Sequence, residues 1–512
     1  MNERPDKLYY GEWKMDLERE ASRIRDLMQA NGLSFYFVDF EVITRRSMVE
    51  FGAYILPHRY RHWTFGREYG KLMKFHDLGM VEILEMVINS DPARAYLLES
   101  NTDEENKMII AHVFAHCDFF RNNYWFSCTN RRMVDRERFF EKRFQELEYK
   151  HGKQAVEDML DICMSIQWYV DFYNEFKTQC PAKIVVPRRN LMLFEGIGDV
   201  GPQGEDGKEK DGDDGVDDGS GKDKITGPGT VPGDGGGKGG DLEENGGGEC
   251  PVPGEENDLL RYIIEHAPLD SYQCHILEMI REESLYFYPN YLTKISNEGW
   301  ATFWHTEMMR EILTFNEFDR FAIRHAELMS SRGLNPYKLG YLIFKSIERK
   351  IDEREGPGTG RKKILYVRSV ADDVSLVREH LNQEIVDECG LYLYGVDPAT
   401  GQRVIQSTDV EKIRSSILQQ LRNAGKPVIV VKGHDRDDEG ALHLLHKYDG
   451  RPLDANTAMD VLKSLYALWK KPVVLETRVQ DEKAFLRWDR RGGSTTNWNN
   501  GDSGESNSPA SP

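Results

Sequence analysis

Two histidines four residues apart, His112 and His116, open the stretch HVFAHCDFFRNNYWF. On a helix, residues at i and i+4 share a face, with Cβ atoms about 5–6 Å apart, so both imidazoles can chelate one ion. With 14 histidines in 512 residues, chance alone supplies roughly 0.4 such pairs. The spacing therefore needs a third ligand before it means a metal site.

Two segments supply a resemblance. Gluzincin metallopeptidases follow their histidine pair with an aromatic, asparagine-containing stretch and take a zinc-binding glutamate from a second helix. DFFRNNYWF, from Asp118 to Phe126, and NEGWA, from Asn297 to Ala301, are similar to those two segments. The resemblance implies a site of His112, His116 and Glu298, with zinc as the first choice of ion and iron or manganese as alternatives. Two histidines and one carboxylate leave a fourth position open, the arrangement of catalytic zinc.

The departure from that pattern is equally specific. Gluzincins carry a glutamate directly after the first histidine as general base, whereas Val113 stands here. Proton transfer would then fall to another group. Glu99, Asp118 and His305 are the candidates, with His76 a further possible ligand. His305 lies seven residues after Glu298, about 10.5 Å along a helix axis, which suits an outer contact better than direct ligation. Adding Glu99 and Asp118 would make a two-metal carboxylate site. The competing reading is a pair of core histidines, with Asn297 capping a helix and Glu298 in its first turn. The basic and aromatic run HRYRHWTFGREYGKLMKFHDLG reads as a structural aromatic cluster with a charged rim, ahead of an anion or sugar site.

These residues need a scaffold, and the chain is long enough for two or three cores. Its formal net charge is −19, which argues against binding a nucleic-acid backbone. Residues 201–250 alone hold 14 Asp and Glu against 5 Lys and Arg, together with 18 glycines. Such a segment buries too little apolar surface to offset its ordering entropy, so residues 196–256 are expected to be a disordered acidic insertion. Residues 492–512 are expected to be a disordered tail. No apolar run approaches the roughly 18 residues of a membrane span, and the first residues lack a signal-peptide core, which predicts a cytoplasmic protein. Seven cysteines without a C-x-x-C pair fit scattered reduced thiols.

Most of the chain before the insertion has helical periodicity. Phe140, Phe144 and Leu147 recur at i, i+4 and i+7, Gly152 follows, and Val156, Met159, Leu160 and Cys163 repeat the pattern, which predicts an antiparallel helical pair. SFYFVDFEVI reads as a strand. Residues 1–195 and 257–355 thus form two halves of one helical domain. From 362 to 491, runs such as KKILYVRSV, LYLYGV and KPVIVVKG alternate with helices, predicting a small mixed α/β domain after a hinge at REGPGTGRK. The fold class is α+β.

Over nearly the whole length outside the insertion and tail, the sequence resembles the stage V sporulation protein R family. HWTFGREYGKLMKFHDLGMVEILEMVINSDPARAYLLESN, HVFAHCDFFRNNYWF, KISNEGWATFWH, NPYKLG and LWKKPVVLET carry that resemblance. It implies a role in forming the spore cortex or, outside spore formers, in starvation and stress. It also implies partners, a serine protein kinase and a von Willebrand A-like protein. The expected architecture is a mainly helical, zincin-like metal domain with a small C-terminal domain, acting either as a metal-dependent hydrolase or as a non-catalytic adaptor.

Overall fold

The structure is a computed structural model describing residues 6–57, 59–77, 85–179, 255–330, 333–435, 438–479 and 482–497. The expected acidic insertion falls almost wholly on residues 180–254, outside the described residues, as does the tail beyond residue 497.

The first half runs α1 (Asp6–Ala30), β1 (Val38–Ile43), α2 (Arg45–Tyr54), α3 (Trp63–Asp77), β2 (Glu85–Ile88), β3 (Ala93–Leu98), α4 (Asp103–Asn122), α5 (Met133–His151), α6 (Lys153–Ile166) and α7 (Phe172–Gln179). SFYFVDFEVI supplies β1, as its β-branched and aromatic content predicts. A three-stranded sheet of order β1-β3-β2 forms, parallel between β1 and β3 and antiparallel between β3 and β2. The antiparallel register sets Glu85 opposite Leu97. The predicted helical pair is α5 and α6, with Phe140, Phe144, Leu147, Val156, Met159, Leu160 and Cys163 all buried and Gly152 at φ 87° between them.

α4 starts at a capping box. Thr102 Oγ1 accepts from Glu105 N at 3.3 Å, and Glu105 Oε2 accepts from Thr102 N at 2.8 Å, satisfying two donors that a helix start leaves open. From Ile109 to Phe120 every residue of α4 is buried. A helix enclosed on all faces is a central one, so α4 is the post on which the site is built.

After the insertion come α8 (Leu259–His266), α9 (Ser271–Leu292), α10 (Lys294–Ile312), α11 (Phe315–Met329), α12 (Pro336–Glu355), α13 (Thr359–Val370), α14 (Asp373–His380) and α15 (Gln383–Cys389). The return is clamped beside the exit: Leu259 N donates to Tyr169 O at 2.9 Å, Asp171 N donates to Asp258 Oδ2 at 3.2 Å, and Arg281 pairs with both Asp258 and Glu175. α10 and α12 cross at two glycines. A Cβ added at Gly299 would lie 2.3 Å from Gly340 Cα, and one at Gly340 would lie 2.2 Å from Ile295 O. Asp373 anchors the start of α10, accepting from Ile295 N and Ser296 N, each at 2.8 Å.

KKILYVRSV is helical, within α13, where a strand was expected. Ile364, Val367 and Arg368 fall at i, i+3 and i+4 and are buried together, so tertiary packing outweighs the β-branched composition. The residues expected to be a hinge are a tight turn between packed helices, with Gly356 and Gly358 at φ 98° and 83° and Gly360 set against Glu348, whose carbonyl oxygen a Cβ would meet at 2.2 Å. Side chains of α13 to α15, including Leu376 and Val386, share one hydrophobic core with α4, α10 and α12.

β4 (Leu393–Val396) and β5 (Arg403–Ser407) form a separate two-stranded ribbon, followed by α16 (Val410–Leu421). β6 (Ile429–Asp435), β7 (Ala441–His446), α17 (Ala455–Trp469), β8 (Val473–Val479), β9 (Glu482–Asp489) and β10 (Gly492–Asn497) complete the described chain. The sheet order is β10-β9-β8-β7-β6, with only β7 and β8 parallel. α17 makes the crossover that a parallel pair requires. β10 replaces the first residues of the expected disordered tail, because Gly492–Asn497 pair in register with β9. This sheet shares a second core with α5, α6, α8 and α9. Cys117, Cys163, Cys274 and Cys389 are free thiols, as expected, but Cys128 is disulfide-bonded.

Candidate metal centre

α4 and α10 lie side by side, and β2 approaches the same stretch of α4. His112 and His116, one turn apart on α4, are 5% exposed each. Both imidazoles have their Nδ1 engaged: His116 Nδ1 lies 2.9 Å from Asn297 Oδ1, and His112 Nδ1 lies 2.9 Å from His305 Nδ1. Both Nε2 atoms are thereby turned toward carboxylates. Glu298 Oε2 is 3.6 Å from Nε2 of each histidine, and Glu85 Oε1 is 3.3 Å from His112 Nε2. Ligand atoms of Glu85, His112 and His116 all fall within 4.8 Å of one another.

These separations fit a shared ion. Two ligand atoms at tetrahedral zinc distances stand about 3.3 Å apart, while 3.6 Å is too long for a hydrogen bond. Glu85 Oε2 and Glu298 Oε2 are buried and accept no hydrogen bond among the described residues. An unpartnered buried carboxylate oxygen is costly, and a cation between the two would satisfy both.

The electrostatics follow from that crowding. Burial, opposed by His112 and reinforced by Glu298, pushes Glu85 up to about 7. Burial and the neighbouring His112 push His116 down to about 4. At His112 burial disfavours the charge, but Glu85 and Glu298 outweigh it and raise the imidazole above its ordinary value. Burial would raise Glu298, yet the two histidines hold it below the usual carboxylate range. Tyr337, in the first turn of α12, lies with its ring 6.3 Å from that of His112. Burial and the Glu298 and Glu85 carboxylates keep its phenol protonated.

Of the residues singled out in the sequence, His112, His116, Glu298 and His305 come together. Asp118 does not join them. It faces away on α4, where Ser34 N, Asn122 Nδ2 and Trp300 Nε1 donate to it at 2.7, 3.0 and 3.0 Å and Arg368 Nε lies 3.2 Å away. With its lone pairs so occupied it is a structural anchor. Glu99 is exposed, and its Oε1 accepts from Arg45 N at 3.3 Å. The His76 side chain lies outside the described residues. The capping alternative for Asn297 and Glu298 fails, because α10 begins at Lys294 with Thr293 as its N-cap. Glu85, Tyr337 and His325 are additions. Glu85 is one of two glutamates in MVEILEM, residues 80–86, and the pairing of β2 with β3 places it at the cluster.

Two family models cover this chain: SpoVR like protein matches residues 12–215 and 230–426, and SpoVR-like C-terminal domain matches residues 427–480. The chain belongs to the SpoVR family. Glu85, His112, His116 and Glu298 all lie inside the first match, and the junction at 426 and 427 falls just before β6. A relative in Escherichia coli (strain K12), described as uncharacterized protein YcgB, is 27% identical over 94% of this chain and 96% of its own length. No solved structure matches this SpoVR chain. No helix among the described residues is long and apolar enough to cross a membrane.

Proposed function

We propose that this SpoVR chain is a metal-dependent hydrolase of cell-envelope or stress physiology, with a zincin-like centre in its helical domain. The ligands are His112, His116 and Glu298, with Glu85 closing the set. One observation carries this reading: two imidazole Nε2 atoms converge on two carboxylates whose buried Oε2 atoms accept no hydrogen bond among the described residues. Two nitrogens and carboxylate oxygen suit zinc, with iron or manganese as competitors. When bound, such an ion supplies Lewis acidity to a hydrolytic reaction.

The chain's own groups supply the rest. Asn297 orients His116, and His305 orients His112. Tyr337, protonated beside Glu298, can donate a hydrogen bond to a substrate oxygen. With Glu85 among the ligands, the proton acceptor that Val113 cannot provide is not Glu99 or Asp118 either, since both are engaged away from the cluster. The family association with the spore cortex makes an envelope component the substrate class to test first, in a cytoplasmic setting.

A second reading is a non-catalytic adaptor that docks a serine protein kinase and a von Willebrand A-like protein. Val113 favours it, as does the ribbon of β4 and β5, which exposes Tyr394, Val396, Val404 and Ile405. Elemental analysis of the protein purified without chelator, beside His112→Ala, separates the two. About one equivalent of metal in wild type, lost in the variant, supports the hydrolase reading. A metal-free wild type that stays so after added zinc, iron or manganese leaves the adaptor reading in front.

A further inference from the structure

His112 is the first of three histidines in a line. Its Nδ1 faces His305 Nδ1 at 2.9 Å, and His305 Nε2 faces His325 Nδ1 at 3.2 Å. The three come from different helices, α4, α10 and α11. His305 is 1% exposed, while His325 is half-buried. The His325 ring is held by Phe321 and Tyr341, at centroid distances of 5.4 and 6.0 Å. The line therefore runs from the buried cluster outward to α11.

Each facing pair of ring nitrogens needs one hydrogen and one lone pair. That requirement makes the line directional. If the His112 Nε2 lone pair goes to a metal, its hydrogen sits on Nδ1 and points at His305 Nδ1. His305 must then carry its hydrogen on Nε2 and donate to His325 Nδ1, and His325 keeps its own on Nε2. If instead His112 Nε2 holds a hydrogen toward Glu85 Oε1, 3.3 Å away, the order can reverse through all three rings. His116 differs, because its Nδ1 meets an amide group, with no further ring beyond.

We infer that His305 and His325 are positioning residues for the metal centre: they fix the hydrogen of His112 on Nδ1, hold its Nε2 on the ion, and carry the state of the site outward to α11. Hydrogen bonds of this outer kind orient a ligating imidazole and raise its basicity, and losing one commonly costs 10–100-fold in metal affinity. The inference rests on the metal reading above and adds a route from that site to a surface helix.

The test uses the full chain loaded with Zn²⁺ or Co²⁺. His325→Leu removes the last acceptor, whereas His325→Asn leaves an amide oxygen close to where Nδ1 stands. His325→Leu is expected to weaken Zn²⁺ binding by about 10-fold and to shift the visible absorption of the Co²⁺ form, and His325→Asn to restore most of both. Long-range ¹H–¹⁵N spectra of the Zn²⁺ form labelled in histidine nitrogen should place hydrogens on Nε2 of His305 and of His325. Unchanged affinity and Co²⁺ spectrum in His325→Leu, or a hydrogen on His305 Nδ1 in the Zn²⁺ form, overturns the inference while the metal reading stands. Wild type that binds neither ion overturns the metal reading itself.

Discussion

Replacing Gly340 by alanine should destabilise the protein, although alanine is the better helix former. The methyl carbon would lie 2.2 Å from Ile295 O and 2.6 Å from Gly299 Cα, against about 3.5–4.0 Å for a comfortable carbon contact. Both obstacles are backbone, so no side chain can swing away, and α10 must move off α12 by roughly an ångström or more. Overpacking of this kind costs about 1–3 kcal/mol, and rigid backbone on both sides puts this case at the upper end. The gain in helix propensity is about 1 kcal/mol. The net loss is then about 2 kcal/mol, nearly 30-fold in the folding equilibrium. Gly66→Ala in α3 is the control, because a Cβ there meets nothing within 4 Å and should stabilise by up to about 1 kcal/mol. Urea denaturation followed by circular dichroism reads both. If Gly340→Ala moves the midpoint upward as Gly66→Ala does, the close crossing of α10 and α12 is wrong, and with it the placement of Glu298 beside α4.

Glu85→Ala should lower zinc affinity at least 10-fold, a loss in the range of other perturbed zinc sites, while leaving the unfolding midpoint of the metal-free protein nearly unchanged; competition with a chromophoric chelator measures the first. Glu137 offers a pH test. It is fully buried, and neither oxygen is hydrogen-bonded among the described residues. Burial and the adjacent Glu283 raise it above the ordinary carboxylate range. A carboxyl raised in the folded state contributes stability below its unfolded value near 4.5, and that contribution fades as pH climbs toward the folded value. Glu137→Gln should therefore flatten the fall in stability between about pH 5 and 8. Parallel pH profiles for the two proteins would show that Glu137 is already ionised at the lower end.

The helical pair of α5 and α6 was legible because its apolar residues repeat locally, and the His112 and His116 spacing was legible for the same reason. Glu298 needed a resemblance, since 182 residues separate it from His116 in the chain. Glu85 carried no signal at all. Its place depends on β2 pairing with β3, and β2 is four residues long, too short for an alternation to declare itself. KKILYVRSV misled because Ile, Val and Tyr favour strands on average, while the burial of one face of α13 decides the outcome here. Asp118 misled in the opposite way: an acidic residue two positions after a metal-ligand candidate looks chemical, yet on a helix it points some 200° away and anchors Trp300 and Arg368. Chemistry was read from residue type, and only three-dimensional neighbours separate a reactive carboxylate from a structural one.

The clamp that joins Tyr169, Asp171 and Glu175 to Leu259, Asp258 and Arg281 gives the chain a permissive port. Because these described residues are tied directly to one another, the two ends stay together whatever length of chain joins them, and as a general rule doubling a loop costs about 0.6 kcal/mol. A fluorescent domain or an affinity tag spliced between residues 182 and 250 should leave the ligand cluster intact. A sequence accepted there would give the chain a reporter or an address without touching Glu85, His112, His116 or Glu298.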